Sequence, residues 1–218
     1  FSKPFYNPKK SYFCPLIMSE KEKNHIHPIF DTILSKTDKE DLLHQKGMVL
    51  WMVGLSGSGK STIARALEQE LHSRGILTKL LDGDNLRTGV NNHLGFTQED
   101  RTENIRRAAE VSKLFKECGI VTICSLISPT EEIREQAKEI IGDDFHVVYI
   151  NAPFEVCAQR DVKGLYAKAI AGEIKNFTGL DAPFEGPINP FAEVKTDELS
   201  LEESTNFLLK KVLPIIKR

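Results

Sequence analysis

Four apolar runs, Met48–Val53, Ile76–Leu81, Ile120–Ile127 and His146–Ile150, punctuate the chain, and a shorter run follows at Ala192–Lys195. Bounded runs of this length predict strands. Between them, apolar positions recur at helical spacing. Ile63, Ala64, Leu67 and Leu71 predict a helix over Thr62–Arg74 that ends at Gly75. Thr97, with an acid at Asp100, predicts the cap of a long helix that carries Ile105, Ala108, Val111, Phe115 and Cys118 inward and stops at Gly119. Ser128-Pro129-Thr130-Glu131 predicts another start, with Ser128 as N-cap, Pro129 in the first turn and Glu131 closing the box. A short helix runs through Cys157 to Arg160, and Ser200-Leu201-Glu202-Glu203 caps a last one ending at Ile216. Strands alternate with helices, and Ile120–Ile127 is apolar enough to be covered on both faces. The expected fold is α/β, three layers, with a mainly parallel sheet between helices. No repeat or second domain is visible.

Residues 47–218 form that domain, and residues 1–46 read as a partly flexible N-terminal extension. Phe1 to Met18 mixes Pro, Lys and aromatic residues without an acid and lacks the apolar centre of a secretory signal. Met18 is an economical start; a targeting segment is the alternative, although the stretch holds no Arg. From Glu20 to Gly47 the apolar positions Ile29, Phe30, Ile33, Leu34, Leu42 and Leu43 predict one or two short helices packed on the domain and ended by Gly47.

With 218 residues and a formal net charge of −2, the chain lacks the basic excess of a general polyanion binder, which argues against a nucleic-acid partner. No stretch reaches the roughly 18 apolar residues of a membrane span. Cys14, Cys118, Cys124 and Cys157 show no metal-type spacing, and the last three sit in or beside apolar patterns, so buried reduced thiols of a cytoplasmic protein are expected.

The chemistry concentrates at Gly54-Leu55-Ser56-Gly57-Ser58-Gly59-Lys60-Ser61, between a predicted strand and helix. Such a loop wraps backbone N–H groups around phosphates, and Thr62 continues into the helix whose N-terminus favours anions. Lys60 is placed to reach the β/γ-phosphates and Ser61 to ligate Mg²⁺, which makes ATP the expected co-substrate. A fold of the P-loop NTPase type follows. Asp82-Gly83-Asp84 ends the second strand, at the edge where open α/β sheets bind ligands. A plain turn is the competing reading. Arg101 and Asn104 share a helix face near the loop bearing Arg87 and Phe96, whereas Arg106 and Arg107 read as solvated surface. Asp161–Phe191, rich in Lys, Gly and Pro and including Lys163 and Phe177, reads as a mobile lid or else a solvated loop.

Taken in order, Gly-Leu-Ser-Gly-Ser-Gly-Lys-Ser (54–61), Leu-Asp-Gly-Asp-Asn-Leu-Arg (81–87), Leu-Gly-Phe (94–96), Asp-Arg-Thr-Glu-Asn-Ile-Arg-Arg (100–107), Ile-Ser-Pro (127–129), Arg-Asp-Val-Lys-Gly-Leu-Tyr (160–166) and Phe-Thr-Gly (177–179) resemble the adenylylsulfate kinases over roughly Asp38 to Ile216. The resemblance implies transfer of the γ-phosphate of ATP to the ribose 3′-hydroxyl of adenosine 5′-phosphosulfate. It gives Asp82 the role of base or Mg²⁺-linked acid, with Asp84 as the second carboxylate. Arg87, Arg101 and Asn104 then hold the acceptor's anionic end and nucleotide, Phe96 and Phe177 clamp its adenine, and Ile127 touches it through its backbone. Arg160 flanks the adenine of ATP, and Lys163 belongs to the lid. Ser128 matches a serine described as a phosphorylated intermediate, although direct transfer needs none. Members are commonly homodimers, and an association with ATP sulfurylase is a further implication. Thr130 and Glu131 depart from the aromatic and Arg often found there, Arg134 falls where a second family Arg lies, and Leu126 replaces a common Phe. At the level of residues alone, a kinase of a sugar acid or nucleoside and a non-catalytic nucleotide-binding module stay open.

Overall fold

A computed structural model of the chain describes residues 25–218. The readings placed on Phe1–Met18, the start at Met18 and Cys14 among them, lie outside the described residues. Contacts divide the chain into two compact units, one reaching Leu34 and one running from Ser35 to Arg218. Within the first, the described residues form a single 3-10 turn at Phe30–Thr32.

The second unit runs α1 (Lys36–Leu43), β1 (Met48–Val53), α2 (Lys60–Ser73), β2 (Thr78–Asp82), α3 (Gly83–Arg87), α4 (Gln98–Glu117), β3 (Val121–Ser125), α5 (Glu131–Ile141), β4 (Phe145–Asn151), α6 (Phe154–Arg160), α7 (Leu165–Ile170), β5 (Ala192–Lys195) and α8 (Leu201–Ile216). The five strands lie in the order β2-β3-β1-β4-β5, and every neighbouring pair is parallel. Alternation along β1 feeds two cores. Met48, Leu50 and Met52 join Ile63, Leu67 and Leu71 of α2 and Leu208, Leu209 and Val212 of α8. Val49, Trp51 and Val53 join Ile105 and Ala108 of α4 and Ile133 and Ala137 of α5. All six residues of β1 are buried, which explains why the central strand reads as an unbroken apolar run. Its carboxyl end delivers the glycine-rich loop to the middle of the sheet edge.

Several expectations change in detail. Ile29, Phe30, Ile33 and Leu34 are exposed, and on α1 Leu42 is 80% exposed while Leu43 is half-buried near Gly119. Polar groups fasten α1 as well. Glu40 Oε1 accepts a bond from Gly47 N at 2.8 Å, and the buried Gln45 amide donates to Leu77 O and Gly119 O at 2.9 and 2.8 Å. His44, at φ 52°, ends α1, not Gly47; a Cβ on Gly47 would lie 2.2 Å from Lys116 O. Cys118, expected inside, is exposed because α4 stops at Glu117 and leaves it in the cap. Cys124 and Cys157 are buried free thiols, and burial pushes the Cys124 thiol up to about 12. The strand expected over Ile120–Ile127 pairs only to Ser125, so residues 126–129 leave the sheet at its ligand-facing edge. Among the described residues no helix is long and apolar enough to cross a membrane.

Candidate active site

The loop between β1 and α2 bends on glycines at positive φ, 151° at Gly54 and 75° at Gly57. Side chains at either position would strike backbone, since a Cβ on Gly54 would sit 2.3 Å from Ile150 O and one on Gly57 2.8 Å from Cys157 O. Lys60, first in α2, is buried and donates from Nζ to Gly54 O at 2.9 Å and Leu55 O at 2.7 Å. Desolvation lowers its pKa to about 8, against the attraction of Asp82 and Asp84. Three tethers hold the loop from outside. Tyr166 Oη donates to Ser56 O at 2.8 Å, Thr196 Oγ1 donates to Ser58 O at 2.8 Å, and Arg160 donates to both Thr196 Oγ1 and Thr196 O at 3.0 and 2.7 Å. Arg160 also donates from Nη1 to Gly57 O at 3.4 Å and so sits against the loop.

Beside the loop, Ser61 Oγ donates to Asp82 Oδ2 at 2.6 Å and lies 3.0 Å from Ser125 Oγ. Asp82 and Ser125 are register partners at the ends of β2 and β3. Asp82 Oδ1 also accepts from Asp84 N at 3.0 Å, so Asp82-Gly83-Asp84 opens helix α3 and is not a free turn. This set of hard oxygens fits Mg²⁺. Among the described residues no group of three or more His, Cys, Asp and Glu could cage a metal, and one carboxylate plus substrate phosphates is the usual way Mg²⁺ is held. Asp84, exposed, forms an ion pair with Lys163, which reaches it from the segment after α6.

The residues expected to hold the acceptor lie near one another. The Arg87 guanidinium lies 4.4 Å from the centre of the Phe96 ring and donates to Leu94 O and Gly95 O at 3.0 and 2.7 Å. Arg101 bridges two loops, donating from Nε to Phe96 O at 3.0 Å, from Nη1 to Thr178 Oγ1 at 2.8 Å and from Nη2 to Asn176 O at 2.8 Å. The Phe96 loop and the Phe177 loop are thereby tied to one side chain. Their aromatics differ in setting: Phe96 is 66% exposed, while Phe177 is buried and meets Tyr166 edge-on at 4.9 Å between ring centres. Asn104 is buried and accepts from Asn91 Nδ2 at 2.9 Å. The segment expected as a lid or solvated loop carries α7 and a small core of its own, with Tyr166, Ala169 and Phe177 packed against Ala152 and Cys157. Arg106 and Arg107, expected as solvated surface, both clasp Glu103, at 2.7 and 2.6 Å.

Ser128 does not cap a helix. Thr130 caps α5, accepting from Ile133 N, and Ser128 lies before it at φ 45° with only 1% of its surface exposed. Trp51 Nε1 donates to Ser128 Oγ at 2.9 Å, a bond that draws the residue inward and leaves the cap to Thr130. Ile127, half-buried, precedes it in the turn. Sequence reasoning did not single out Ser125, Thr178, Thr196, Asn91 or Trp51. Ser125 and Thr196 are small hydroxyl residues at the carboxyl ends of strands, but nothing local in the sequence records which partners they meet.

The match to the family described as Adenylylsulphate kinase spans residues 46–195. The adenylyl-sulfate kinase of Bacteroides thetaiotaomicron is 60% identical over 199 residues, covering 91% of this chain and 99% of that protein. Among solved structures, the Mycobacterium tuberculosis APS kinase CysC in complex with AMPPNP and APS superposes with a TM-score of 0.74 at 42% identity, over 77% of this chain and 98% of that one. The hexameric APS kinase from Thiobacillus denitrificans gives a TM-score of 0.60 at 26% identity, over 78% of this chain and 29% of that one.

Proposed function

Because the chain belongs to the adenylylsulphate kinase family, we infer that it transfers the γ-phosphate of ATP to the ribose 3′-hydroxyl of adenosine 5′-phosphosulfate, releasing ADP and 3′-phosphoadenosine 5′-phosphosulfate. The step completes the activation of sulfate. Phosphoryl transfer depends chiefly on alignment and on neutralising charge spread over the phosphoryl oxygens. The amides of Gly54–Thr62 and the Lys60 ammonium hold the polyphosphate, while Arg160 flanks the adenine of ATP. Ser61 and Asp82 would hold Mg²⁺, which would supply neutralisation of the phosphate charge. Asp82 takes the proton from the 3′-hydroxyl, a contribution of roughly 10²–10⁴-fold, with Asp84 and Lys163 beside it. Arg87, Arg101 and Asn104 hold the acceptor, Phe96 and Phe177 flank its adenine, and Ile127 meets it through backbone. Transfer is direct, since in-line displacement needs no phosphoserine and Ser128 is buried. What supports this assignment most is Arg101, which fastens the Phe96 and Phe177 loops to each other on the edge that carries Asp82 and Ser61.

A coupled assay of ADP release tests the reading, with adenosine 5′-phosphosulfate, gluconate, shikimate and adenosine as separate acceptors. Turnover is expected with the first alone, and its absence there would overturn the assignment. We place the enzyme in the cytoplasm as a homodimer; a monomer by light scattering would count against the second point. Association with an ATP sulfurylase, which supplies the acceptor, is tested by co-sedimentation of the two enzymes.

A further inference from the structure

The turn that follows β3 is held far more tightly than its position on a ligand-facing edge requires. Ser128 adopts φ 45°, in the left-handed region that a residue with a Cβ enters only when its surroundings enforce it. Four groups supply that enforcement. The Trp51 indole, wholly buried in the central strand, gives its one N–H to Ser128 Oγ at 2.9 Å. Arg134, with 1% of its surface exposed, donates from Nη1 to Ser128 O at 2.9 Å. Its Nε and Nη2 close on Glu131 Oε2 at 3.1 and 2.5 Å, so the guanidinium is fixed by Glu131 at the start of α5. On the other side, Glu185 N donates to Pro129 O at 2.8 Å and Glu185 Oε2 accepts from Glu131 N at 2.7 Å. Arg134 is thereby spent inside the protein and offers nothing to a ligand.

We propose that Trp51 and Arg134 are positioning residues for the nucleotide acceptor: they lock the Ile127–Pro129 turn with the Ser128 hydroxyl directed into the core, so that the turn meets the acceptor through its backbone. The proposal rests on the kinase reading above, in which Ile127 touches the acceptor. Both residues lie behind the turn, and neither touches ATP or the reacting atoms. Their loss therefore shifts the acceptor side of the kinetics. A fault in the core at large would instead weaken both substrates and lower the melting midpoint in proportion.

Trp51 is the sole tryptophan of the chain, which gives the bond its own optical signal. Ser128→Ala removes the partner of the indole N–H, and the emission of Trp51 is expected to shift to shorter wavelength. Trp51→Phe and Ser128→Ala are each expected to raise the KM for adenosine 5′-phosphosulfate about tenfold, the loss of one buried hydrogen bond, with the KM for ATP within about twofold. The double variant should be no worse than either single one. Arg134→Lys keeps the charge but not the fork, and is expected to raise the acceptor KM in the same way. If Trp51→Phe folds poorly, Ser128→Ala reads the same bond from its other end. The proposal is overturned by an unchanged Trp51 emission in Ser128→Ala, by parallel rises in both KM values, or by effects that multiply in the double variant. Failure of the wild-type enzyme to use adenosine 5′-phosphosulfate would instead sink the kinase reading.

Discussion

Lys60 carries its charge in a setting that resists it. Because desolvation lowers its pKa to about 8, the free enzyme sheds this proton within reach of ordinary assay conditions. We expect kcat/KM for ATP to fall as pH rises through about 8, and a profile flat to about pH 10 would refute the link. Stability moves oppositely. Between about 8 and 10.5 the unfolded chain retains a proton that the native one has lost, so the contribution of this group to folding rises with pH. Lys60→Met should lower kcat by about 10²–10³-fold, the scale of one lost transition-state donor. Lys60, Ser61 and Asp82 are legible in the sequence because their roles are written in contiguous motifs. Ser125, Trp51 and Thr196 are not, since their partners lie 64, 77 and 138 residues away and nothing local records the meeting.

Among the elements, α4 ties the Phe96 loop to the Phe177 loop through Arg101, and its first turns are stiffened by Glu103. Hydrogen bonds from Arg106 and then Arg107 outweigh desolvation and hold this carboxyl down at about 2. Its folded pKa is depressed, so its contribution is complete above about 4.5 and disappears as pH falls toward 2. Glu103→Gln should cost about 1 kcal/mol at neutral pH and nothing near pH 2, measured as the shift in urea midpoint across that range. The segment that carries Phe177 gives a second test. Gly179 has φ 92°, a conformation that strains any residue with a Cβ, and a Cβ there would meet Leu55 Cδ2 at 2.7 Å, so Gly179→Ala strains the Phe177 loop and displaces the Leu55 side chain of the phosphate loop. Acceptor KM should rise several-fold, and unchanged kinetics would show that the two loops move independently. Helices with one strong start signal, at Thr97 and Ser200, begin where their sequences place them. The start of α5 was misplaced at Ser128, because Thr130 has capping chemistry too and a buried indole from another strand engages the Ser128 hydroxyl.

For the molecule as a whole, the parallel sheet between two helix layers was readable because its strands are short, apolar and separated by helical spacing. The exposed Leu42 and the polar hold on α1 were not, since a pattern of apolar positions does not say which of them finds a neighbour. Ligand binding should register across the entire unit: ATP at a hundred times its Kd adds about 2.7 kcal/mol, which for a domain of this size raises the melting midpoint by roughly 5–10 °C. An unmoved midpoint would show that the loop does not capture ATP. The strand order also carries a consequence for how the chain comes into being. β1 pairs with neither of the elements next to it in sequence; its partners start at Val121 and Phe145. During synthesis the phosphate loop and its strand must therefore leave the ribosome unpaired, exposing an apolar hexapeptide until β3 and β4 follow. The stretch that captures ATP is thus made early and completed late.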